Sequence, residues 1–344
     1  MILRPTLAFR HHGTPAGVAT AAPLASVPSW LRRAILDAQS LTSQSIEDVA
    51  ITTGAAIGAL DAVVRRQERW AGAWRQRLAL AAAAATAKQA GRVEDENALR
   101  DAVLLARPGD IVSGSTTLGP AGLLLLAWRR LAARPAEELL TKKNLAAVLE
   151  EFGYAPDDEA VSDLADELRQ LGASAGMVGM LTGAFVTAER HGFGRAVGAW
   201  LADVLLAQRL GWAHAVPLLG AEAALGTSAR PRRSAASSVA TSIETNPERA
   251  KSLLAAQARA ALRAIDLSAE FERRAARLLA VAPKLRAKAA DAVVEKLLSD
   301  DAIVASEKIA GMSDRGLRRL FDRLVELGAV RELSGRTAFR IYGL

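Results

Sequence analysis

Apolar residues recur along most of this chain three and four positions apart, the spacing of a helix with one buried stripe, rather than alternating as in strands. That period predicts helices near 29–39, 44–66, 69–91, 94–105, 120–133, 141–152, 157–171, 174–190, 194–209 and 213–225. The pattern is interrupted at Gly91, in a loop over 108–120, and at Pro135, 153–156, Gly172 and Gly192. After a stretch without apolar period (227–245), Asn246-Pro247-Glu248 reads as a helix start, with a cap, a proline at the first helical position and an acid favouring the positive end of the dipole. Helical pattern then continues to about 282, with a break expected at Asp266, and Pro283 opens another short helix carrying Lys284, Arg286 and Lys288.

The last 56 residues follow a different plan. A helix over 289–298 places Val293, Val294 and Leu297 on one side, and a second, short helix is expected over 304–310. Gly311 supplies a turn, Ser313 caps a third helix over 314–327, and Gly328 ends it. Leu317, Leu320, Phe321, Leu324 and Leu327 form a single apolar stripe, so at about 100° per residue Arg315 and Arg319 point away from it, with Arg318 beside them. Strands over 329–333 and 338–342 flank a glycine-containing hairpin loop, 334–337, that carries Arg336. Helix, short helix, capped helix and hairpin together predict a winged helix-turn-helix. Its third helix would enter the major groove, with the wing on the flanking backbone. Arginine suits both roles because its planar fork engages guanine edges or phosphate bidentately.

Composition narrows the class. Apolar residues make up 51% of 344 but aromatics only 4%, so alanine and leucine dominate, which favours packed helices. The expected fold is mainly α: a flexible segment at 1–28, a multi-helix body at 29–226, a basic linker with connector helices at 227–288, and the winged helix at 289–344. There is no cysteine, which excludes a disulfide framework and fits a reducing cytoplasm. No signal-peptide-like apolar run opens the sequence. The uncharged stretch 173–188 has sixteen residues, short of the roughly 20 that a membrane span needs, and Gly176, Gly179 and Gly183 dilute it. A buried helix is expected there, and no membrane association.

Charge is unevenly placed. Of the net +7, residues 228–288 carry 13 Lys/Arg against 5 Asp/Glu, whereas 289–344 carry 9 of each. A local excess points to an acidic partner such as nucleic acid, with a solvated helix face as the alternative. Arg230, Arg232 and Arg233 head that region and join Arg315, Arg318, Arg319 and Arg336 as expected DNA contacts. A weak internal repeat also shows: Gly54, Gly58 and Gly72-Ala73-Trp74 parallel Gly179, Gly183 and Gly198-Ala199-Trp200, which suggests either a duplication or chance in an Ala/Gly-rich chain.

Several segments look like a family of bacterial proteins known as domain of unknown function 1403. They include 72–80 (GAWRQRLAL), 90–102 (AGRVEDENALRDA), 119–122, 207–212 with 217–219, 327–336 and 339–344. The resemblance spans nearly the whole chain and implies a bacterial cytoplasmic protein, without an activity to transfer.

A search for catalysis is unproductive. The acid-rich start at Arg92, Glu94, Asp95, Glu96, Arg100 and Asp101 reads better as dipole stabilisation and an i,i+4 pair between Glu96 and Arg100 than as a metal site, since it lacks a histidine. His191 reads as a helix-end residue and His214 as packed. No phosphate-loop, dinucleotide, nucleophile-elbow or zinc-helix motif is present. No catalytic residue, metal or cofactor is therefore expected. The expected function is that of a DNA-binding protein, a transcriptional or replicon-maintenance regulator acting on duplex DNA as a homodimer. Glycine-interrupted apolar helices at 174–190 and 194–209 would supply the dimer surface. The alternatives are an interaction adaptor whose winged helix and helical body bind proteins, and an enzyme with an unrecognised helical pocket.

Overall fold

The computed structural model describes residues 27–36, 41, 43–106, 118–222, 247–285, 287, 289–335 and 339–344. Among them are twelve α-helices and three short strands. The body contains α1 (Ser29–Leu36), α2 (Ile46–Arg65), α3 (Ala71–Gln89), α4 (Glu96–Leu104), α5 (Gly119–Ala133), α6 (Lys142–Glu151), α7 (Asp158–Ser174), α8 (Met177–Arg190), α9 (Arg195–Leu210) and α10 (Pro247–Val281). The C-terminal module holds α11 (Ala290–Ser299), β1 (Ile303–Val304), α12 (Asp314–Glu326), β2 (Arg331–Glu332) and β3 (Ile341–Gly343). The chain is mainly helical, as the 3.6-residue period implies.

Caps account for several boundaries. Ser45, Asp95 and Asp157 each accept a backbone N–H from three residues on, starting α2, α4 and α7. Gly211 at φ +66° ends α9 in the left-handed conformation that glycine adopts freely. The central helix is α9, buried on all sides from Val197 to Ala207. It packs on α8, with Gly198 against Phe185: a Cβ there would lie 2.7 Å from the ring. Three tryptophans fully buried in the core have their N–H groups satisfied. Trp74 donates to the Ala264 carbonyl at 2.9 Å, Trp128 to the Thr86 hydroxyl at 3.1 Å, and Trp200 to the Ala127 carbonyl at 3.1 Å.

Several expectations are corrected. The connector helices expected over 247–282 form one helix: α10 runs without a break, and Leu253, Leu254, Ala258, Ala261, Ile265, Phe271 and Leu278 are buried, chiefly against α2. Asp266 lies on its outer side and pairs with Arg32 at 2.7 Å, so it interrupts nothing. Nor does Pro283 open an α-helix; it sits in a single 3-10 turn, Ala282–Lys284. The helix expected over 213–225 is replaced through 222 by an extended segment and a 3-10 turn, Leu219–Ala221. Pro217 cannot donate, and the fully buried Asp203 carboxylate captures the N–H groups of Leu218 and Leu219 at 2.8 and 3.1 Å, out of reach of a helical ladder. The break expected at Gly172 falls at Ala175–Gly176 instead, since α7 continues to Ser174.

A further correction concerns the module. Residues 304–310 form no helix: Val304 pairs with Ile341, the Ala305 N–H reaches the Arg340 carbonyl at 2.8 Å, and turns follow. Two helical turns are marginal by themselves, and pairing with β3 competes successfully for the first residues. The expected helix-turn-helix thus lacks its second helix. The sheet is antiparallel in the order β1-β3-β2, with Ile303 opposite Tyr342 and Glu332 opposite Tyr342 on the other side. The hairpin strands are shorter than expected.

No gap in the apolar core separates module from body; one continuous cluster includes Trp74, Phe271, Leu297 and Phe321. The joint is also polar. Arg129 pairs with Asp301 at 2.8 Å, Arg77 donates to the Asp301 carbonyl at 3.2 Å, and Arg100 donates to the Leu333 carbonyl at 3.1 Å. Gly72 lets α3 touch the end of α11, where a Cβ would stand 2.6 Å from the Ser299 oxygen. The expected Glu96–Arg100 pair is accordingly not formed, because Arg100 turns inward to Asn97, Asp101 and the module.

The two halves of the sequence repeat pack differently. Gly54 and Gly58 face open space, Gly183 meets Leu171, and α2 packs on α10 while α8 packs on α9. The apolar surface of α8 and α9 is consumed inside the chain, which removes the reason given for a dimer interface there.

Candidate nucleic-acid interface

Ser313 and the apolar stripe fix α12. The Ser313 hydroxyl accepts the Gly316 N–H at 3.1 Å, while Leu317, Leu320, Phe321 and Leu324 are buried beneath the helix. Phe321 stacks on Tyr342 of β3 with ring centroids 4.3 Å apart, locking the helix to the sheet. This rotation leaves Arg315, Arg318 and Arg319 exposed on the first two turns, as the spacing implies.

Their electrostatic setting distinguishes them from neighbouring cations. Lys308 pairs with Asp314 at 3.1 Å, Arg323 with Glu326 at 2.7 Å, and Lys296 with both Asp300 and Glu307 at 3.2 Å. Arg340 lies 3.6 Å from Asp322 and 3.7 Å from Glu332. Tyr342 and these carboxylates push the Arg340 guanidinium pKa up. Among the described residues no carboxylate pairs with Arg315, Arg318 or Arg319. Arg331 on β2 is also exposed without an acid, close enough to Arg274 to help lower that guanidinium's pKa to about 10, after burial itself.

Beside α12, a cavity of about 390 Å³ opens toward the hairpin, lined by Ser306, Arg318, Asp322, Phe339, Arg340 and Tyr342. Phe339 is 68% exposed at φ +55°, unusual for a bulky residue. Strand alternation would bury it on the same face as Ile341, so nothing in the spacing marks this exposure. Arg331, likewise missed, falls in the predicted strand without a motif to mark it.

The other expected contacts, Arg230, Arg232, Arg233 and Arg336, lie outside the described residues. Five of the thirteen basic residues of 228–288 are paired with acids. Arg249 pairs with Glu189, Lys251 with Glu248, Arg259 and Arg263 with the buried Glu222, and Arg274 with Glu270. Arg273 and Arg277 remain exposed. Away from the module, His191 caps α8 with its ring stacked on Phe193, and no group of three or more metal-ligating side chains occurs among the described residues. No described helix is long and apolar enough to cross a membrane.

No curated protein and no solved structure matches the chain. A family model described as Protein of unknown function (DUF1403) matches residues 16–344, and the chain belongs to that family.

Proposed function

We propose that this DUF1403 member binds duplex DNA, with the first turns of α12 in the major groove and the β2–β3 hairpin beside it. The observation carrying this reading is the set of three exposed arginines, Arg315, Arg318 and Arg319, without acid partners among the described residues, in a module that pairs its other helix-side cations. Arg315 and Arg319, one turn apart, project together, as a recognition helix requires. Their guanidinium forks suit guanine edges, and the N-terminus of α12 favours phosphate. The order β1-β3-β2 behind the helix fits a winged helix in which turns replace the second helix. Asp322 and Glu326 on later turns would repel phosphate, so contact is confined to the N-terminal half. A role as a transcriptional or replicon-maintenance regulator follows from sequence-specific binding of this kind.

Selection of binding sites from a random duplex library with the full-length protein tests the reading. An enriched motif should emerge, and Arg315→Ala with Arg319→Ala should weaken binding to it by about 1–3 kcal/mol per lost bidentate contact. No enrichment, or a double variant that binds as tightly as the parent, would sink it.

The second reading is an adaptor that binds protein through the module. It draws on Phe339, Val325 and Leu327, which are 68%, 40% and 38% exposed. Steep weakening by salt favours DNA, whereas an apolar protein contact is nearly indifferent to it.

A further inference from the structure

A cavity of about 500 Å³ lies between the start of α3 and the turn after α9, and none of the α12 arginines lines it. Val64, Ala71, Trp212 and Ala213 supply its apolar wall, and Arg75, His214, Arg65 and Glu68 its charged groups. The volume suits a small metabolite.

The charges fall into two kinds. Arg65 bonds to Asp61 at 2.8 Å and to the Leu210 carbonyl at 2.7 Å. Glu68 is held by Arg66 at 2.7 Å, so each of these two has its counter-charge. Arg75 does not. Its Nε donates to the Ala132 carbonyl at 2.9 Å, and no carboxylate among the described residues pairs with the guanidinium. Arg75 also occupies the second turn of α3, and a helical side chain leans toward the N-terminus, so its cation approaches the positive end of the helix dipole. Burial lowers its pKa to about 10 with no acid opposing the shift. His214, fixed by an isolated backbone bridge to Pro135, feels the same cation: burial and then Arg75 push its pKa down. Partial burial and the helix dipole both disfavour a charge that no carboxylate among the described residues compensates.

We propose that this cavity binds the oxyanion group of a small molecule, a phosphate or a carboxylate, with the Arg75 guanidinium as its bidentate ligand and His214 beside it. A planar guanidinium with one nitrogen already anchored presents its remaining donors in a fixed fork, which matches both anions. Trp212 and Val64 would then pack the remainder of the molecule.

Calorimetric titration of the full-length protein with inorganic phosphate and, separately, with malonate tests this at constant ionic strength. One anion or both should bind saturably with a Kd below about 1 mM. The arm that binds more tightly identifies the group. Arg75→Gln should weaken binding at least about tenfold and Arg75→Lys by less, since lysine keeps the charge and loses the fork. Because Arg75 also anchors Ala132, a second variant avoids the core: Ala213→Asp puts a carboxylate on an exposed lining residue and should abolish binding in a folded protein. In the parent, saturating anion should raise the His214 pKa seen by NMR, because Arg75 is then neutralised. Absence of saturable binding by both anions up to about 10 mM, undiminished affinity in Ala213→Asp, or an unmoved His214 titration would overturn the proposal. None of these outcomes bears on DNA binding.

Discussion

Asp301→Ala tests how the module is held to the body. The Asp301 side chain is 2% exposed and that of its partner Arg129 is 17% exposed, with 2.8 Å between them. Truncation leaves the Arg129 guanidinium in a mostly dry joint, its Nε already without a hydrogen-bond partner. Losing one member of a buried pair costs about 3–5 kcal/mol. Arg129 retains some access to water, so the lower end, about 3 kcal/mol, is expected. The Arg77 bond to the Asp301 main-chain carbonyl survives the substitution, which limits the loss further. Urea unfolding read by tryptophan fluorescence gives the total, and hydrogen exchange shows where protection is lost. Amides of α11 and α12 should exchange faster than those of α9. Replacing Arg129 with methionine in the same chain should recover part of the loss, because the stranded charge is then gone. A loss below about 0.5 kcal/mol, the size of an ordinary surface substitution, would refute the view that this pair holds the module in place.

Three further outcomes follow from single residues. Burial raises the Asp203 pKa well above the ordinary carboxylate value, against the Leu218 and Leu219 N–H bonds that favour the anion. The fold then holds the proton more tightly than the unfolded chain, so Asp203 contributes stability that is present below about pH 4 and declines as pH rises toward the folded pKa. Asp203→Asn, whose amide oxygen can still accept both N–H groups, should gain stability relative to the parent as pH is raised from 4 to 8 in urea titrations; a constant difference would contradict this. Ser313→Ala should cost about 1 kcal/mol in chemical denaturation and fray the first turn of α12, weakening DNA binding without changing base preference. Arg331→Gln should lower affinity for all duplexes alike in filter binding if β2 touches the backbone, and a change confined to one sequence would place it on a base instead.

What the sequence revealed follows from how local each cause is. The Ser313 cap, the Leu317–Leu320–Phe321–Leu324 stripe and the outward arginines all act within one helix, so spacing alone located them. The error at 304–310 arose because Val304 is claimed by Ile341, a partner 37 residues away in the chain. The path of 213–222 escapes local spacing for the same reason, since Asp203 reaches across to its backbone. In α10 the count of basic residues concealed an alanine-rich buried face. Those alanines carry so little hydrophobic contrast that the amphipathic pattern was outweighed by charge. Arg75 and Phe339 are clear only in three dimensions, because an absent counter-ion and an unexpected exposure leave no mark on spacing.

DNA binding through α12 is tested most directly by the salt dependence of duplex binding. The full-length protein should be compared with a variant carrying Arg315→Gln, Arg318→Gln and Arg319→Gln, each measured on the same selected site across a range of salt concentrations. The parent's log affinity should fall linearly with log salt. The variant should bind at least about tenfold more weakly, with a slope shallower by about 0.9 for each replaced arginine that meets a phosphate. Equal affinities and parallel lines would contradict the account and assign the surface of α12 to another partner.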